Sequence, residues 1–385
     1  MAELLIVLST GLMLAYSTLF LCVLPLTDLA GLRDYVVFWS TGQQLAHHAN
    51  PYDEAGMMRL EHEAGLPAMY RVGYMRNPPW GLALAFPLGF LGLRAGAFFW
   101  TLLLMACLAL SVFLLWRLYG RPRGALHWLG ISFAPALLCV TMGQTSVFAL
   151  LGYVLFLDLH KRKPFLAGVS LWLCALKPHL FLAFGVVLLA WVVVSRSYKI
   201  LAGAMAAMAA NCALVTAIDP AAWGEYLRMM RAGWQEKELI PCLSVMLRLQ
   251  LSPHTMALGY LPAALGCAWA LVYYWRKRRE WEWAQDGSLP LLVSLLTTPY
   301  AWIYDDCIAI PALLQGAYIA RMRWLISVLA LGTLAIEAEL ICGMKMASYR
   351  YLWTAPVWLG WYLCARYLGA PKATAVEAIT VPELL

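Results

Sequence analysis

Long apolar stretches, separated by short polar segments, fill most of the chain from Leu4 to Tyr367. A hydrocarbon core about 30 Å thick needs roughly 20 apolar residues for each helical crossing, and several of these stretches approach that length. The composition agrees, since 63% of the residues are hydrophobic and 13% are charged, with a mean hydropathy of +0.70. Backbone groups in lipid must be satisfied internally, so the pattern predicts an all-α polytopic membrane protein and excludes an ordinary soluble domain.

The first apolar stretch, Leu4 to Leu26, has no basic residues before it. It is also longer than the apolar part of a signal peptide, which has about 7 to 15 residues. We therefore expect it to be a retained first span.

Arginine and lysine recur in short loops between the later stretches, and such loops mark the cytoplasmic face of a membrane protein. They are Arg117, Arg121, Arg123, Lys161, Arg162, Lys163, Arg196, Lys199, Arg276, Lys277, Arg278, Arg279, Arg321, Arg323, Arg366 and Lys372. Placing them inside predicts about twelve transmembrane helices with both termini in the cytoplasm. Segments 28–79 and 219–254 then form a first and a second outer loop.

This topology requires that the apolar piece 80–91 does not cross the membrane. With about 12 residues it is too short to span, so we expect a re-entrant or shallow helix. The short stretches 144–159 and 165–177 are expected to form helical hairpins that open towards an outer cavity.

The chain is interpreted as one membrane domain over residues 1–370 with a cytoplasmic tail over 371–385, which we expect to be disordered. Its ten cysteines lie mostly inside the predicted spans and lack the spacing of metal ligands. This favours packing over disulfides or a metal site.

The first outer loop opens with a predicted helix between Asp34 and Ala49. Its apolar positions, Tyr35, Phe38, Trp39 and Leu45, fall near one helix face, which is typical of an amphipathic helix in the membrane interface. Asn50, Pro51, Tyr52 and Asp53 form a turn that ends it.

Asp34 would lie at the N-terminus of that helix. An aspartate there is a favoured cap and is stabilised by the positive end of the helix dipole. A carboxylate partly removed from water is also suited to take a proton from a hydroxyl group, as a general base. The two roles are compatible.

Three further polar residues lie on the predicted outer side. Arg76 either anchors at the lipid headgroups or holds an anionic ligand. Asn77 follows it, just before two prolines that fix the entry into the short apolar element. Gln144 lies at the tip of the hairpin and is either a simple turn residue or a substrate contact.

Lys177 lies deep in apolar sequence, where a charge at mid-bilayer costs roughly 2.5 to 3.5 kcal/mol. Such a residue usually faces a cavity and has a partner, and it can hold a phosphate; the alternative is a side chain that extends to the surface from the end of a span. Pro178 breaks the helix at this point, and His179 adds a second polar side chain.

The last cluster runs from Thr298 to Asp306 between apolar helices and ends with Tyr304, Asp305 and Asp306. The two carboxylates either cap solvated helix ends, bind sugar hydroxyls or pair with Lys177. The sequence leaves these alternatives open.

The order of these clusters resembles the polyprenyl-phosphate-sugar dependent glycosyltransferases of family 87. The resemblance covers nearly the whole chain through short motifs: Asp34 before an aromatic helix; Asn50, Pro51, Tyr52 and Asp53; Asn77, Pro78 and Pro79; Gly143 and Gln144; Lys177 and Pro178; Ser244, Leu247 and Arg248; Thr298, Pro299 and Trp302. In one place the chain departs from the family, because many relatives have Trp, Asp and His where this chain has Tyr304, Asp305 and Asp306.

The resemblance implies a GT-C type membrane fold with amphipathic helices in its outer loops. It implies transfer of a hexose, most often mannose, from a polyprenyl-phosphate donor to a glycolipid or glycan acceptor at the outer face of the plasma membrane, with inversion. Asp34 would be the catalytic base, and Arg76, Asn77, Gln144, Lys177, His179, Tyr304, Asp305 and Asp306 are the candidate substrate-binding residues. We expect membrane lipids as partners, no nucleic acid, and neither a metal nor another cofactor.

Two other functions remain open at this point. A multi-span transporter or flippase for a lipid-linked or anionic substrate would also have polar residues at helix breaks, although an inverted repeat is not evident. An accessory subunit that only retains the fold would tolerate substitution of Asp34.

Overall fold

The computed structural model describes residues 33–65, 75–122, 124–231, 239–252, 254–320, 322–342 and 346–369. Within these ranges the chain forms helices and turns, and no strand. The predicted first span and the predicted tail 371–385 lie outside the described residues. The all-α prediction is confirmed for the part of the chain that is described.

The α-helices, numbered in chain order, are α1 (Arg33–Ala46), α2 (Glu54–Glu63), α3 (Leu82–Ala85), α4 (Leu93–Leu118), α5 (Trp128–Ile131), α6 (Ala134–Met142), α7 (Ser146–Leu159), α8 (Pro164–Cys174), α9 (Leu182–Ser195), α10 (Tyr198–Ile218), α11 (Ala222–Arg231), α12 (Leu243–Leu251), α13 (Leu261–Lys277), α14 (Trp283–Asp286), α15 (Ser288–Thr297), α16 (Ile310–Ile319), α17 (Arg323–Ile341) and α18 (Thr354–Gly369). Short 3-10 helices connect them at Pro79–Gly81, Phe86–Phe90, Pro178–Phe181, Met256–Tyr260, Ile303–Ala309 and Tyr349–Tyr351.

Three helices among the described residues are long and apolar enough to cross a membrane. They are Leu93–Leu118, Tyr198–Ile218 and Met256–Lys277, with 26, 21 and 22 residues. The others that are apolar are shorter, as Ser146–Leu159 and Ser288–Thr297 are. The prediction of a helical membrane protein agrees with these helices, whereas the number of about twelve spans and the GT-C architecture stay predictions.

The core is built around the predicted hairpin of α7 and α8. Helix α7 is apolar on every side and nearly all of its residues are buried, which is typical of a helix enclosed by others. Helix α8 packs against α10 through Gly168 and Gly203, where an added Cβ on either glycine would overlap the partner backbone. Helix α7 is therefore enclosed by other helices, whereas α8 is buried at its small residues and keeps Phe165 and Leu166 exposed.

Helix α1 begins and ends close to the predicted positions, but its surroundings differ from the prediction. Tyr35, Phe38 and Trp39 are buried as expected, yet Val36 and Ser40 on the opposite face are also fully buried. The interpretation as an amphipathic helix in the membrane interface is therefore wrong. The apolar segment that follows the first outer loop packs on the aromatic face, where the Leu91 carbonyl accepts a hydrogen bond of 2.9 Å from Trp39 Nε1.

That covering segment is the predicted short element, which spans Pro79–Phe90 as two 3-10 turns around the single turn α3. At about 1.5 to 2 Å of rise per residue it is shorter than the hydrocarbon core, as expected. It approaches α1 closely at Gly42 and Gly89, because an added Cβ on either glycine would overlap the backbone of the other segment. The contact fixes α1 against the rest of the outer loop.

The second outer loop contributes helix α11, which packs on the first. The Trp223 ring lies 6.5 Å from that of Trp80, and the Tyr226 ring lies 5.5 Å from that of Tyr52. Tyr52 in turn donates a hydrogen bond of 3.0 Å to the Asn77 carbonyl. The predicted outer loops thus contact each other beside the polar residues of interest.

Candidate active site

The chain between α8 and α9 is broken at Lys177. Helix α8 ends at Cys174, and Pro178, which has no N–H to donate, begins a 3-10 helix. The carbonyls left free by the break accept hydrogen bonds from the outer loop, at 2.8 Å from Trp80 Nε1 to Ala175 and at 3.3 Å from Asn77 Nδ2 to Leu176. The Asn77 side-chain amide therefore binds the backbone carbonyl of Leu176 in this structure.

Lys177 forms an ion pair with Asp305. Its Nζ lies 2.7 Å from Asp305 Oδ1, and the two residues are 7% and 0% exposed. The expected partner for this charge is confirmed. The alternative, a lysine that extends to the surface, is wrong because both charged groups are enclosed.

Asp305 is held by two further donors. Ser146 Oγ donates a short hydrogen bond to the same Oδ1 atom, and the Trp302 backbone N–H donates to Oδ2 at 2.8 Å. The Asp305 N–H returns a bond of 2.8 Å to the Trp302 carbonyl, so the carboxylate caps the 3-10 helix that begins at Ile303. Asp305 is therefore fixed from three segments of the chain.

Asp306 faces a different part of the molecule. Its Oδ2 accepts a hydrogen bond of 3.0 Å from Trp358 Nε1, and the Thr354 side chain also bonds to it. It is 3% exposed. The interpretation of the adjacent carboxylates as solvated helix caps is wrong, since Asp305 and Asp306 are both buried and point to different partners.

Tyr304 connects Lys177 to Gln144. The Lys177 ammonium lies 4.8 Å from the centre of the Tyr304 ring, a cation–π distance. Gln144 Nε2 donates to Tyr304 Oη at 3.3 Å, and Gln144 Oε1 accepts from the Thr145 N–H at 3.3 Å. Gln144 is therefore part of the polar cluster and more than a turn residue.

Asp34 lies in the first turn of α1, where the helix dipole favours a negative charge. Gly143 brings it close to Gln144, because this glycine ends α6 with a φ of +76° and leaves no room for a Cβ against Tyr35. Burial raises the pKa of the Asp34 carboxyl, whereas a hydrogen bond with Gln144 and the charges of Lys177 and Arg76 lower it. The raised pKa suits a group that accepts a proton.

A second chain of contacts lies beside the ion pair. Arg76 donates from Nη1 to Tyr300 Oη at 3.0 Å, and Trp302 Nε1 donates to the same oxygen at 2.7 Å. The His179 ring lies 5.4 Å from the Tyr300 ring. Arg76 and His179 therefore join the cluster through Tyr300.

Of the sequence-predicted residues, the structure brings seven into one cluster around the ion pair. They are Asp34, Arg76, Gln144, Lys177, His179, Tyr304 and Asp305. Asn77 and Asp306 contact its framework instead. Within the ranges that the structure covers, no group of three or more His, Cys, Asp or Glu residues has the arrangement to hold a metal ion.

The substrate-binding residues predicted from the sequence did not include Ser146, Tyr300 and Trp302, which belong to the cluster. Ser146 could have been found, because it is the first residue of an otherwise almost wholly apolar helix and follows Gln144 by two positions. Nothing in the sequence connects Tyr300 with Arg76, which is 224 residues away.

The family model described as glycosyltransferase family 87 matches residues 74–299 of the chain, which is more than half of it. No curated protein and no solved structure matches. The matched range includes Arg76, Asn77, Gln144, Lys177 and His179. Asp34 and the residues from Tyr304 to Asp306 lie outside it.

Proposed function

The chain belongs to glycosyltransferase family 87, and we propose that this membrane glycosyltransferase moves a hexose, mannose, from a polyprenyl-phosphate donor to an acceptor hydroxyl. One observation carries the proposal: a carboxylate with a raised pKa, Asp34, interacts electrostatically with a buried, ion-paired lysine, Lys177, among apolar helices. A proton acceptor and a phosphate-binding cation in one site are what this reaction requires.

Asp34 is the proposed general base. It takes the proton of the acceptor hydroxyl while that oxygen forms a bond to the anomeric carbon. The bond from this carbon to the phosphate oxygen breaks on the opposite side of the sugar, so the configuration inverts. The products are the glycosylated acceptor, the polyprenyl phosphate and a protonated Asp34, and a positioned base typically contributes 10²–10⁴-fold to the rate.

Lys177 stabilises the negative charge that develops on the leaving phosphate. Arg76, which donates to Tyr300 at 3.0 Å, supplies a second positive charge within electrostatic range of Asp34. The leaving polyprenyl phosphate has a single phosphate to neutralise, so two cationic side chains meet the need that a diphosphate leaving group meets with a divalent metal. The proposal therefore includes no cofactor.

The acceptor is a glycolipid or a glycan, and the site faces the outer side of the plasma membrane. The basic loops support this orientation, because they lie at the ends of the chain segments opposite to those that carry Asp34, Arg76 and Lys177. Exposed apolar side chains along α4, such as Phe98, Leu102 and Phe113, suit contact with membrane lipids and with the isoprenoid chain of a donor.

The test measures transfer of labelled sugar from polyprenyl-phosphate mannose into the lipid and polymer fractions of membranes. We expect transfer with the wild type and a loss of at least 100-fold with Asp34→Asn, from the usual contribution of a base. Glu63→Gln is the matched control, because Glu63 is an exposed carboxylate of the same outer loop. Its activity should stay within twofold of the wild type.

Equal transfer by the wild type and Asp34→Asn, above a vector control, would remove Asp34 from the mechanism and leave the transferase. If mannose is not transferred, the assay is repeated with other polyprenyl-phosphate sugars. Absence of transfer from every such donor would overturn the proposed donor class.

A further inference from the structure

The Asp305 side chain is enclosed by the protein and accepts three hydrogen bonds. Its side chain is 0% exposed and accepts hydrogen bonds from Lys177, Ser146 and the Trp302 backbone. Three of the about four acceptor positions of the carboxylate are occupied, and at 0% exposure the remaining one is closed to a sugar hydroxyl. Asp305 is therefore poorly suited to contact the substrate directly.

Lys177, in contrast, has hydrogen-bond donors that are not used by Asp305. An ammonium group has three N–H donors, and among the described residues one of them is directed to Asp305. The ring of Tyr304, 4.8 Å away, bounds another side of the ammonium. Donor capacity remains for an incoming phosphate oxygen.

We propose that Asp305 is a positioning residue, which keeps Lys177 charged and directed at the donor phosphate without contacting the donor itself. The inference rests on the proposed function and adds a role for a residue that the sequence suggests as a substrate contact. A lysine in apolar surroundings gives up its proton unless an opposite charge is near. It also has a long flexible stem, so a fixed carboxylate is needed to hold its position.

The fixed position follows from the three segments that meet at Asp305. Ser146 begins α7, Lys177 lies at the break after α8, and Trp302 precedes the 3-10 helix of Asp305 itself. A carboxylate held by α7 and by its own helix start cannot rotate with the lysine. The ion pair therefore fixes the position of the Lys177 ammonium relative to α7 and the core.

A double-mutant cycle tests this role, with KM for the donor and kcat measured on the purified full chain. The variants are Lys177→Met, Asp305→Asn and the double variant. We expect Asp305→Asn to raise the donor KM about tenfold, within the usual range of pairwise couplings. In the double variant the donor KM should equal that of Lys177→Met within about twofold, because Asp305 acts through the lysine.

Multiplied effects in the double variant would show that Asp305 contacts a substrate itself and would overturn the inference. The same holds if Asp305→Asn leaves the donor KM unchanged and lowers only kcat or raises the acceptor KM. In both cases wild-type transfer persists and the proposed function stands. If the wild type uses none of the polyprenyl-phosphate sugars, the inference falls together with the proposed function.

Removal of one member of a buried ion pair can prevent folding, so two further variants belong to the test. Ser146→Ala removes one donor to Asp305 and leaves both charges, and it should raise the donor KM by a smaller factor that disappears in a Lys177→Met background. Persistence of that factor in the lysine variant would also overturn the inference. Asp286→Asn is the matched control, because Asp286 is a buried aspartate paired with Lys277 and Arg366 outside this cluster; its donor KM should be unchanged.

Discussion

Asp305 and Asp306 are neighbours in the chain, yet one accepts from Lys177 at 2.7 Å and the other from Trp358 at 3.0 Å. Successive residues of a 3-10 helix point about 120° apart, since three residues complete a turn. The first carboxylate therefore enters the polar cluster, and the second is directed towards the start of α18. The two neighbouring aspartates therefore have different roles, one in the polar cluster and one in the packing of α18.

Trp358→Phe should destabilise the protein without weakening its use of the donor. The indole N–H is a partner of a buried carboxylate, and loss of such a partner costs about 1 to 3 kcal/mol of unfolding free energy. Thermal unfolding of the purified protein measures the effect. A raised donor KM at unchanged stability would contradict this division of roles.

The pH dependence of transfer should follow Asp34. A general base acts only when ionised, so the rate is lost as the pH falls through the pKa of the group. Because burial raises the pKa of Asp34, the acid limb of kcat/KM should lie at higher pH than for an ordinary aspartate.

Gln144→Ala should move that acid limb to still higher pH. The Gln144 side chain bonds to the Asp34 carboxylate and thereby lowers its pKa, and the substitution removes this stabilisation of the charged form. The measurement is kcat/KM against pH for the wild type and the variant. An unchanged limb, or one that moves to lower pH, would argue against Asp34 as the titrating base.

Gly143→Ala should lower both stability and kcat. The residue has a φ of +76°, and an added Cβ would lie 2.5 Å from Tyr35 Cβ, next to Asp34. Relief of that overlap requires α1 to move away from Gln144. Gly185→Ala is the control, because Gly185 lies in α9 with no atom within 4 Å of an added Cβ; stability and kcat should be unchanged there, as measured by thermal unfolding and by sugar transfer.

Trp80→Phe should raise the donor KM about two- to tenfold, which corresponds to the usual 0.5–1.5 kcal/mol of one hydrogen bond. The indole donates to the Ala175 carbonyl at 2.8 Å, two residues before Lys177. Trp116→Phe removes a similar bond, to the Pro122 carbonyl at 3.2 Å, far from the site in sequence and on the predicted cytoplasmic side. Steady-state kinetics measure the donor KM of both variants. Equal donor KM values for Trp80→Phe and Trp116→Phe would show that the contact at Ala175 has no part in donor binding.

The sequence predicted local features of this molecule better than long-range ones. The end of α1 followed from the turn that begins at Asn50, and a partner for Lys177 followed from the high energy of an isolated charge among apolar residues. Which carboxylate supplies that partner depends on a contact 128 residues away along the chain. It also depends on whether the segment from Ile303 forms a 3-10 or an α-helix, and its apolar composition suits both.

The environment of α1 shows the same limit. Its apolar positions allow an amphipathic helix, but Val36 and Ser40 on the remaining face are buried as well. The small residues Gly42 and Gly89 bring a second segment against the aromatic side. A pair of glycines 47 positions apart gives no sign in the sequence that the two will meet. Burial of a helix on all sides is decided by such partners and not by its own pattern.

The helix break at Pro178 connects Asp34 and Lys177 structurally. The same free carbonyls that accompany the break, those of Ala175 and Leu176, hold the segment 77–90, and that segment in turn supports α1 at Gly42. We therefore expect Asp34 and Lys177 to move as one unit when the surrounding helices tilt. The distance from acceptor oxygen to donor phosphate would then be independent of the thickness of the bilayer.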